Sequence, residues 1–516
     1  MLPAVKAKAA SKRAPEKAAE KAKAAEKVTN PLVYFVSLGC PKNRVDTEVM
    51  LGLSQGSGCR LSDDPAKADV IVVNTCGFIG AAKEESVDTI LEMAAYKASG
   101  SCRRLVVTGC LSQRYPEDLV REIPEIDHIL GSGEVDKIAA AIRGVDAGQT
   151  VIDVAAMPEY IYDHDAPRPA SQASYSRYVK IAEGCDRPCG FCIIPKLRGA
   201  QRSRPLDSIA QEVERLSREG VVEVNLVAQD LTTYGTDLPF DTDRPGERPS
   251  LANLLRRIGT PPSGSGSDAQ GAGSLRWIRL HYAYPTATTD ELLDVMAASP
   301  RVAKYLDVPL QHADDRVLKL MRRGHVGKTV YGLVERARLR VPGITLRTTF
   351  IVGHPGETEA AFQKLCDFVT EARFDHVGVF CYSPEEGTHS ATLPDSELVP
   401  AKEAERRRRE LLRIQRKISK ERQRALRGQL ITVLVEGESD ESEYLLQGRH
   451  AGQAPEIDGR VYLSLGDDCA ELALRPGDLV SATVDGSADY DLAATVQSLV
   501  QPAFRAPQTV KLRVVS

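Results

Sequence analysis

The sequence predicts an α/β protein in three parts: an N-terminal parallel α/β domain, a central partial (βα)6 barrel and a small C-terminal all-β barrel. Short apolar runs alternate with helical stretches up to about residue 147 and again between about 175 and 382, a pattern typical of parallel sheets covered by helices. Beyond residue 430 the pattern changes to short β runs separated by turns. The length of 516 residues suits about three domains of roughly 150 residues.

The predicted domain boundaries follow changes in composition and charge. They are a disordered basic tail over 1–30, the first α/β domain over 31–147, the barrel over 170–408 and the β domain with its leading basic helix over 411–502. The tail carries a net charge of +5 and the stretch 428–504 a net charge of −11, although the whole chain is only at −4. A polar linker over 148–173 and a flexible Gly/Ser-rich surface loop over 259–274 complete the prediction.

In the first domain, three cysteines follow three predicted strands. The strands are Leu32–Leu38, Val70–Val73 and Leu105–Val107, and the helices are Val45–Leu53, Lys83–Tyr96 and Glu117–Arg121. Cys40, Cys76 and Cys110 each come one to three residues after such a strand. Because the carboxyl ends of parallel strands share one edge, where ligands bind, these cysteines are expected to converge on one crevice.

Six further strands predict the partial barrel, and four more predict the β domain. The barrel strands are Arg177–Glu183, Val222–Ala228, Leu275–Ala283, Tyr305–Leu310, Ile344–Val352 and His376–Tyr382. The β runs are Ile431–Glu436, Arg460–Leu465, Leu479–Val484 and Ala493–Leu499. Between the two, residues 401–427 predict a basic helix with nine Arg and three Lys against four Glu.

Composition restricts the class of protein. Hydrophobic residues make up 42% of the chain and charged residues 27%, which is normal for a globular protein. No stretch approaches the ~18 apolar residues of a membrane helix, and the N-terminus lacks the apolar segment of a signal peptide. We therefore expect a cytoplasmic protein without membrane contact. Cysteines stay reduced there, so grouped ones are interpreted as metal ligands before disulfides.

A second set of cysteines is closely spaced. Cys185, Cys189 and Cys192 follow the first barrel strand with the spacing CxxxCxxC. Three thiolates on a cubic iron–sulfur cluster leave one iron open to bind a small molecule, whereas four-cysteine clusters mainly carry electrons. A zinc site or a four-cysteine cluster needs another ligand nearby. The next histidine is His281 and the next cysteine is Cys366, so spacing disfavours both alternatives without excluding them.

The stretch from Tyr178 to Gly199 resembles the signature of radical S-adenosylmethionine (SAM) enzymes, including the aromatic Phe191 before the last cysteine. The resemblance implies that the closely spaced cysteines hold a [4Fe-4S] cluster whose fourth iron chelates SAM. It also implies that SAM is cleaved there to a 5′-deoxyadenosyl radical.

The strings around Cys40, Cys76 and Cys110 resemble the N-terminal domain of methylthiotransferases, such as Ser37-Leu-Gly-Cys-Pro-Lys-Asn-Arg-Val-Asp. In that family, three such cysteines bind a second [4Fe-4S] cluster that handles sulfur. The resemblance therefore implies two clusters with SAM as cofactors. The remaining cysteines are interpreted as structural: Cys59, Cys102, Cys366, Cys381 and Cys469.

Further candidate site residues lie in the predicted barrel, outside the two cysteine sets. Gly353 and Glu357 lie in the region where many radical SAM enzymes contact adenine, although Gly356 departs from the common GxIxGxxE form. With Phe191, they form the predicted SAM region. His281 and His312 are either catalytic or satisfied barrel histidines. No catalytic residue is predicted beyond the cluster ligands.

The C-terminal barrel resembles a TRAM domain, and its acidity predicts the substrate. A domain at −11 repels RNA, whose binding needs Lys and Arg, but attracts a basic ribosomal protein. Aromatic residues make up only 5%, a poor supply of base-stacking groups. Strings such as Ala454-Pro-Glu-Ile-Asp-Gly resemble the methylthiotransferases that convert an aspartate of ribosomal protein uS12 to 3-methylthioaspartate.

The resemblance to this branch implies particular partners. These are ribosomal protein uS12, free or in the small subunit, and an electron donor such as flavodoxin or ferredoxin. RNA contact is expected only through the basic tail or the connecting helix. Two alternatives remain open: the same chemistry on tRNA adenosine, and a non-enzymatic iron–sulfur module that binds RNA.

Overall fold

The computed structural model describes residues 30–144, 149–171, 173–239, 248–261, 274–324, 326–439, 441–466, 469, 471–504, 509–510 and 512–515. The predicted basic tail up to residue 29 and most of the predicted Gly/Ser-rich loop, 262–273, lie outside these residues. The chain divides into two compact units. The first unit contains Met1–Ser171, Ile193–Ala200 and Val510–Ser516, and the second contains Gln172–Cys192 and Gln201–Thr509.

The first unit is built on a parallel sheet with the order β2-β1-β3-β4-β5-β6, in which β20 also pairs with β1. The strands are β1 (Leu32–Leu38), β2 (Arg60–Leu61), β3 (Val70–Thr75), β4 (Arg104–Gly109), β5 (His128–Leu130), β6 (Val151–Asp153) and β20 (Arg513–Val515). Both faces of β3 and β4 are buried, which explains their continuous β-branched runs.

The described residues of this unit form seven α-helices. They are α1 (Pro41–Gly56), α2 (Gly80–Ala94), α3 (Tyr96–Ser99), α4 (Cys110–Arg114), α5 (Pro116–Glu122), α6 (Ile138–Arg143) and α7 (Ile194–Arg198). Pro41 opens α1, where its missing N–H costs nothing and its fixed φ suits the first helical turn. The predicted strands and helices of this domain are all present. Leu32–Leu38 has the predicted bounds, the predicted helix Lys83–Tyr96 is divided between α2 and α3, and the others are longer by a few residues.

Four short strands among the described residues of this unit were not predicted from the sequence: Arg60–Leu61, His128–Leu130, Val151–Asp153 and Arg513–Val515. Within the predicted polar linker over 148–173, Val151–Asp153 forms a strand that pairs with His128–Leu130. The C-terminal Arg513–Val515 pairs in parallel with β1. Each of these strands has only two or three residues, too few for an alternating pattern to show, and long-range pairing decides their conformation.

The second unit contains an open parallel sheet of six strands in the order β14-β13-β12-β11-β10-β7. Its strands are β7 (Ser176–Lys180), β10 (Glu223–Val227), β11 (Trp277–Leu280), β12 (Val302–Asp307), β13 (Thr345–Val352) and β14 (His376–Cys381). A two-stranded ribbon, β8 (Ala182–Glu183) with β9 (Arg202–Ser203), follows the first strand. The predicted partial (βα)6 architecture is confirmed.

The helices between and after these strands bury their apolar faces against the sheet. They are α8 (Leu206–Arg218), α9 (Leu251–Ile258), α10 (Asp290–Ala298), α11 (Asp315–Leu320), α12 (Gly327–Arg340), α13 (Glu359–Ala372) and α14 (Ala401–Ala425). The last is the predicted basic helix, and it packs through Leu411 and Ile418. Among the described residues, no helix is both long and apolar enough to cross a membrane.

The same unit ends in a closed five-stranded barrel with the order β15-β16-β17-β19-β18. Its strands are β15 (Leu430–Ser439), β16 (Ser442–His450), β17 (Val461–Leu465), β18 (Leu479–Ser487) and β19 (Leu492–Gln501). Four of the five were predicted. The sequence of β16, Ser-Glu-Tyr-Leu-Leu-Gln-Gly-Arg-His, gave no strand signal because it lacks clear alternation of apolar and polar residues.

Candidate functional site

Cys40, Cys76 and Cys110 lie at one edge of the sheet of the first unit. Cys40 is the N-cap residue of α1, Cys76 directly follows β3, and Cys110 is the first residue of α4. Because β1, β3 and β4 are adjacent and parallel, their carboxyl ends meet. The Cys40 and Cys110 thiols are both close enough to act electrostatically on Cys76. The structure therefore brings the three cysteines together, as the strand ends predicted.

Two glycines allow the cysteine loops to approach one another. Gly39 has φ +84°, and a Cβ built there would lie 2.8 Å from Cβ of Cys76. A Cβ on Gly77 would lie 2.7 Å from the carbonyl oxygen of Cys110. Any side chain at either position would push the loops apart, so the close set of thiols depends on glycine.

The chemistry of this donor set suits an iron–sulfur cluster. Burial, together with the neighbouring Cys110 and Cys40, raises the pKa of the Cys76 thiol to about 12. The Cys76 thiol is therefore protonated at neutral pH unless a metal takes the place of its proton. Thiolate sulfur is the ligand that iron–sulfur clusters use, so these residues fit a cluster bound through three of its irons.

A buried polar group supports these cysteines within the first unit. Arg198, the last residue of α7, donates from Nε to Sγ of Cys110 at 3.2 Å. Its two terminal nitrogens donate to Asp46 at 2.7 Å and to Asn43 at 2.8 Å. Asn43 in turn donates to the carbonyls of Leu38 at 2.8 Å and, at 3.1 Å, of Thr75 at the end of β3.

Sequence reasoning missed Arg198, Asn43 and Asp46. Asn43 and Asp46 are three residues apart on α1 directly after Cys40, so they share one helix face. That spacing is the one available signal, because polar residues on the buried face of a helix are unusual. No pattern in the sequence near Asn43 and Asp46 links these residues to Arg198.

The closely spaced cysteines occupy a loop of the second unit after β8. Burial raises the pKa of the Cys185 thiol to about 11, with Asp230 and Cys189 adding to the effect. Inside the loop, the Cys192 amide donates to the Cys189 carbonyl at 3.1 Å. The Gly190 amide donates to the Met321 carbonyl at 2.8 Å, which anchors the middle of the loop.

Cationic groups surround this second cysteine set. Arg323 donates from Nη1 to Sγ of Cys189 at 3.3 Å, and its guanidinium lies 4.3 Å from the centroid of the Tyr284 ring. The guanidinium of Arg187 lies 3.9 Å from the same centroid and pairs with Asp230 at 2.7 Å. Positive charge beside cysteine sulfur offsets the negative charge of a thiolate-bound cluster.

The predicted SAM region lies around the end of β13. Phe191 packs, as Ile351 does, on a small buried apolar cluster of Val317, Met321 and Ala361. Gly353, with φ +75°, directly follows β13, and its amide donates to the Glu357 carboxylate. Glu357 is fully buried and also pairs with His312 at 3.1 Å and with Arg407 at 3.0 Å. These contacts fix the shape of the loop between β13 and α13.

The two barrel histidines both have partners inside the protein. Burial and the nearby Arg279 lower the pKa of His281 to about 3, and its Nε2 lies 3.3 Å from Oδ1 of Asn225. In His312 the Nδ1 atom accepts from the Asp314 amide at 3.0 Å, while Nε2 faces Glu357. Neither ring is presented to a reacting group by these contacts.

Three family models match this chain, one for each part of the fold. The Uncharacterized protein family UPF0004 matches residues 32–131, the Radical SAM superfamily matches 179–369, and the TRAM domain matches 428–496. The first two spans contain the two cysteine sets. The radical SAM match implies that the cofactors of this chain are SAM and [4Fe-4S] clusters.

Curated relatives match the chain over most of its length. The ribosomal protein uS12 methylthiotransferase RimO of Sorangium cellulosum is 51% identical, covering 89% of this chain and 90% of the relative. The proteins of the same name from Myxococcus xanthus and Syntrophotalea carbinolica are 49% and 48% identical, covering 93% and 91% of this chain and 94% and 98% of the relatives. At this identity and coverage, the chain belongs to the family of ribosomal protein uS12 methylthiotransferases.

Proposed function

We propose that this protein methylthiolates an aspartate of ribosomal protein uS12, forming 3-methylthioaspartate by radical SAM chemistry. The observation that carries the proposal is the presence of two sets of three cysteines, one in each unit, in a chain of this family. One set alone suits a radical SAM enzyme that abstracts hydrogen. A second set gives the chain a separate place to handle sulfur.

We assign each set one cluster. Cys185, Cys189 and Cys192 hold the cluster that binds SAM, and Cys40, Cys76 and Cys110 hold the second cluster. The domains are assigned accordingly: the methylthiotransferase domain covers 31–147, the radical SAM core 170–408 and the TRAM domain with its leading helix 411–502. The spans of the three family models support these assignments.

When bound, these cofactors supply the 5′-deoxyadenosyl radical for hydrogen abstraction from the aspartate β-carbon and the methylthio group that replaces the hydrogen. The residues of the chain hold, orient and shield them. Phe191, Gly353 and Glu357 are proposed to border SAM. Glu357 acts through the shape of the loop, because its carboxylate is already engaged by His312 and Arg407. The apolar packing of Phe191 helps to exclude water that would quench a radical.

Charge on the TRAM barrel favours a basic protein as substrate. The barrel region 428–504 carries fourteen acidic residues against three arginines. Among the acidic side chains that the structure describes, five are exposed: Glu438, Glu441, Glu456, Glu471 and Asp485. Such a surface attracts a Lys- and Arg-rich ribosomal protein and repels the phosphates of RNA.

The proposed partners follow from this chemistry. Reductive cleavage of SAM needs an electron donor, for which a flavodoxin or ferredoxin is suitable. The exposed Arg416, Lys417 and Arg424 of α14 offer the described surface on which ribosomal RNA phosphates are expected to dock when uS12 is modified in the small subunit. A ribosomal substrate places the enzyme in the cytoplasm.

The test is the intact mass of uS12 from cells with and without this gene. With the gene, the mass should rise by one methylthio group replacing one hydrogen, and fragmentation should locate the change on an aspartate. A methylthio shift on tRNA adenosine with unmodified uS12 would contradict the proposal. A reconstituted protein that binds RNA but cleaves no SAM would contradict enzymatic function altogether.

A further inference from the structure

We propose that Arg198 is a positioning residue for the cluster held by Cys40, Cys76 and Cys110, and that its hydrogen bond to Cys110 raises the reduction potential of that cluster. The inference rests on the cluster assignment in the proposed function. It adds a residue that the cysteine motifs do not contain. Arg198 is separated from Cys110 by 88 positions in the chain.

The guanidinium of Arg198 is held on three sides. Nε donates to Sγ of Cys110 at 3.2 Å, one terminal nitrogen donates to Asp46 at 2.7 Å, and the other donates to Asn43 at 2.8 Å. The side chain of Arg198 is only 2% exposed. A planar group with three fixed bonds cannot rotate away from the sulfur, so the N–H···S geometry is enforced by its surroundings.

The helix that carries Arg198 is itself anchored in the first unit. Leu197 and Ile193 of this segment pack with Phe78 and Cys110 in a small buried cluster. The Leu197 carbonyl accepts a hydrogen bond from Oγ of Ser132 at 2.7 Å. Gly199, with φ +76°, ends the helix directly after Arg198. The backbone on both sides of Arg198 is therefore fixed relative to Cys110.

The effect on a bound cluster follows from charge. A hydrogen bond to cysteine sulfur withdraws electron density from the cluster and stabilises its more negative, reduced form, which raises the potential. Asp46 balances the guanidinium charge, so the directional bond to sulfur is the main remaining contribution. Burial strengthens that bond because no water competes for the sulfur.

The test uses the full chain with Cys185, Cys189 and Cys192 changed to Ala, reconstituted without oxygen with iron and sulfide. Only the Cys40, Cys76 and Cys110 set then binds a cluster, with about four irons per chain. In this background R198Q and R198K are compared by iron content, by the electron paramagnetic resonance spectrum of the reduced cluster and by redox titration. The matched control is R104Q, because Arg104 is a buried arginine at the opposite end of β4 that donates to the Ala141 carbonyl at 2.7 Å.

The expected result for R198Q is a lower midpoint potential and a changed spectrum. R198K should show a smaller change, because lysine keeps the positive charge but lacks the planar guanidinium donors. R104Q should keep the parent potential. Loss of iron by a folded R198Q would also support a positioning role. If R198Q does not fold, the test rests on R198K. An R198K variant with the midpoint potential and spectrum of the parent protein overturns the inference. If the parent background with Arg198 intact binds no iron, the cluster assignment itself fails.

Discussion

Glu223 and Arg449 form a buried ion pair that fastens the small β barrel to the six-stranded sheet within the second unit. Their Oε2 and Nη2 atoms lie 2.7 Å apart, and the two side chains are 0% and 2% exposed. Glu223 begins β10, and Arg449 lies in β16. Arg279 contacts the same carboxylate at 2.9 Å, and Glu436 contacts Arg449 at 2.8 Å. The barrel is thus fixed to the sheet by a network of charges inside the protein.

Breaking this pair is expected to destabilise the protein strongly. R449M leaves Glu223 without one of its two buried cationic partners, which costs about 3–5 kcal/mol in the free energy of unfolding. Chemical denaturation followed by circular dichroism measures the loss. The control is E291Q, because the Arg256–Glu291 pair has side chains 49% and 57% exposed and should change stability by less than about 1 kcal/mol.

The double variant E223Q/R449M tests whether the two buried charges interact, because it removes both of them together. Removing both charges avoids the isolated buried carboxylate, so this variant should be less destabilised than the sum of the two single variants. Additive losses would show that the two side chains do not interact, contrary to the 2.7 Å contact.

Acid should destabilise the second unit through two histidines that resist protonation in the fold. Burial lowers the pKa of both His281 and His450 to about 3. The unfolded chain takes up a proton at each histidine near pH 6.5, whereas the folded chain does not, so stability falls as the pH drops below that value. Between pH 7 and pH 5, each histidine should cost about 2 kcal/mol.

Urea unfolding at the two pH values checks this prediction. H281Q should remove about half of the loss attributed to the two histidines, since glutamine has no proton to gain. H164Q is the control, because His164 is outside the core. An equal pH dependence in the parent protein and H281Q would contradict the burial of a neutral His281.

The sequence predicted those elements whose signal is local. The continuous apolar runs of β3 and β4 mark them as strands, and Cys76 and Cys110 follow directly after them. Parallel pairing then brings the cysteines together without further information. The edge strands β6 and β20 gave no such signal, since three residues cannot show a period and their conformation depends on a distant partner.

The support around the cysteines was beyond sequence reasoning for the same reason. Arg198 reaches Cys110 because α7 returns to the first unit, although the neighbouring chain belongs to the second. No local pattern encodes that return. The same holds for Arg449, whose partner Glu223 is 226 positions away. Buried arginines can be recognised only once the fold supplies their carboxylates.

Substitutions in the two cysteine sets should abolish different activities. Changing Cys185, Cys189 or Cys192 to Ala should reduce 5′-deoxyadenosine formation to background, because SAM then lacks its cluster. Changing Cys40, Cys76 or Cys110 to Ala should abolish methylthiolation but leave part of the SAM cleavage. Liquid chromatography of 5′-deoxyadenosine and the mass of uS12 measure the two outcomes separately.

C102A serves as the control for these variants, because Cys102 is buried in the first unit and donates to the Arg104 carbonyl at 3.4 Å. It should retain both activities. Normal methylthiolation by C40A, C76A or C110A would contradict a separate sulfur-handling cluster.

Acidic side chains on the TRAM barrel should control the affinity for uS12. Glu438, Glu441 and Asp485 are exposed, so E438Q/E441Q/D485N removes three negative charges without disturbing the barrel core. Weaker attraction to a basic protein should raise the KM for uS12 by about tenfold at low salt, and by less as added salt screens the charges. SAM cleavage without uS12 should be unchanged, because the substitutions leave both cysteine sets intact.

The matched control removes the same charge from another surface. E214Q/E291Q/E335Q changes three exposed glutamates on α8, α10 and α12. If uS12 binds through the acidic barrel, this variant should keep the parent KM at every salt concentration. An equal rise in KM for both triple variants would mean that net charge alone steers the substrate. An unchanged KM in the barrel variant would show that the acidic side chains of the barrel do not contribute to substrate recognition.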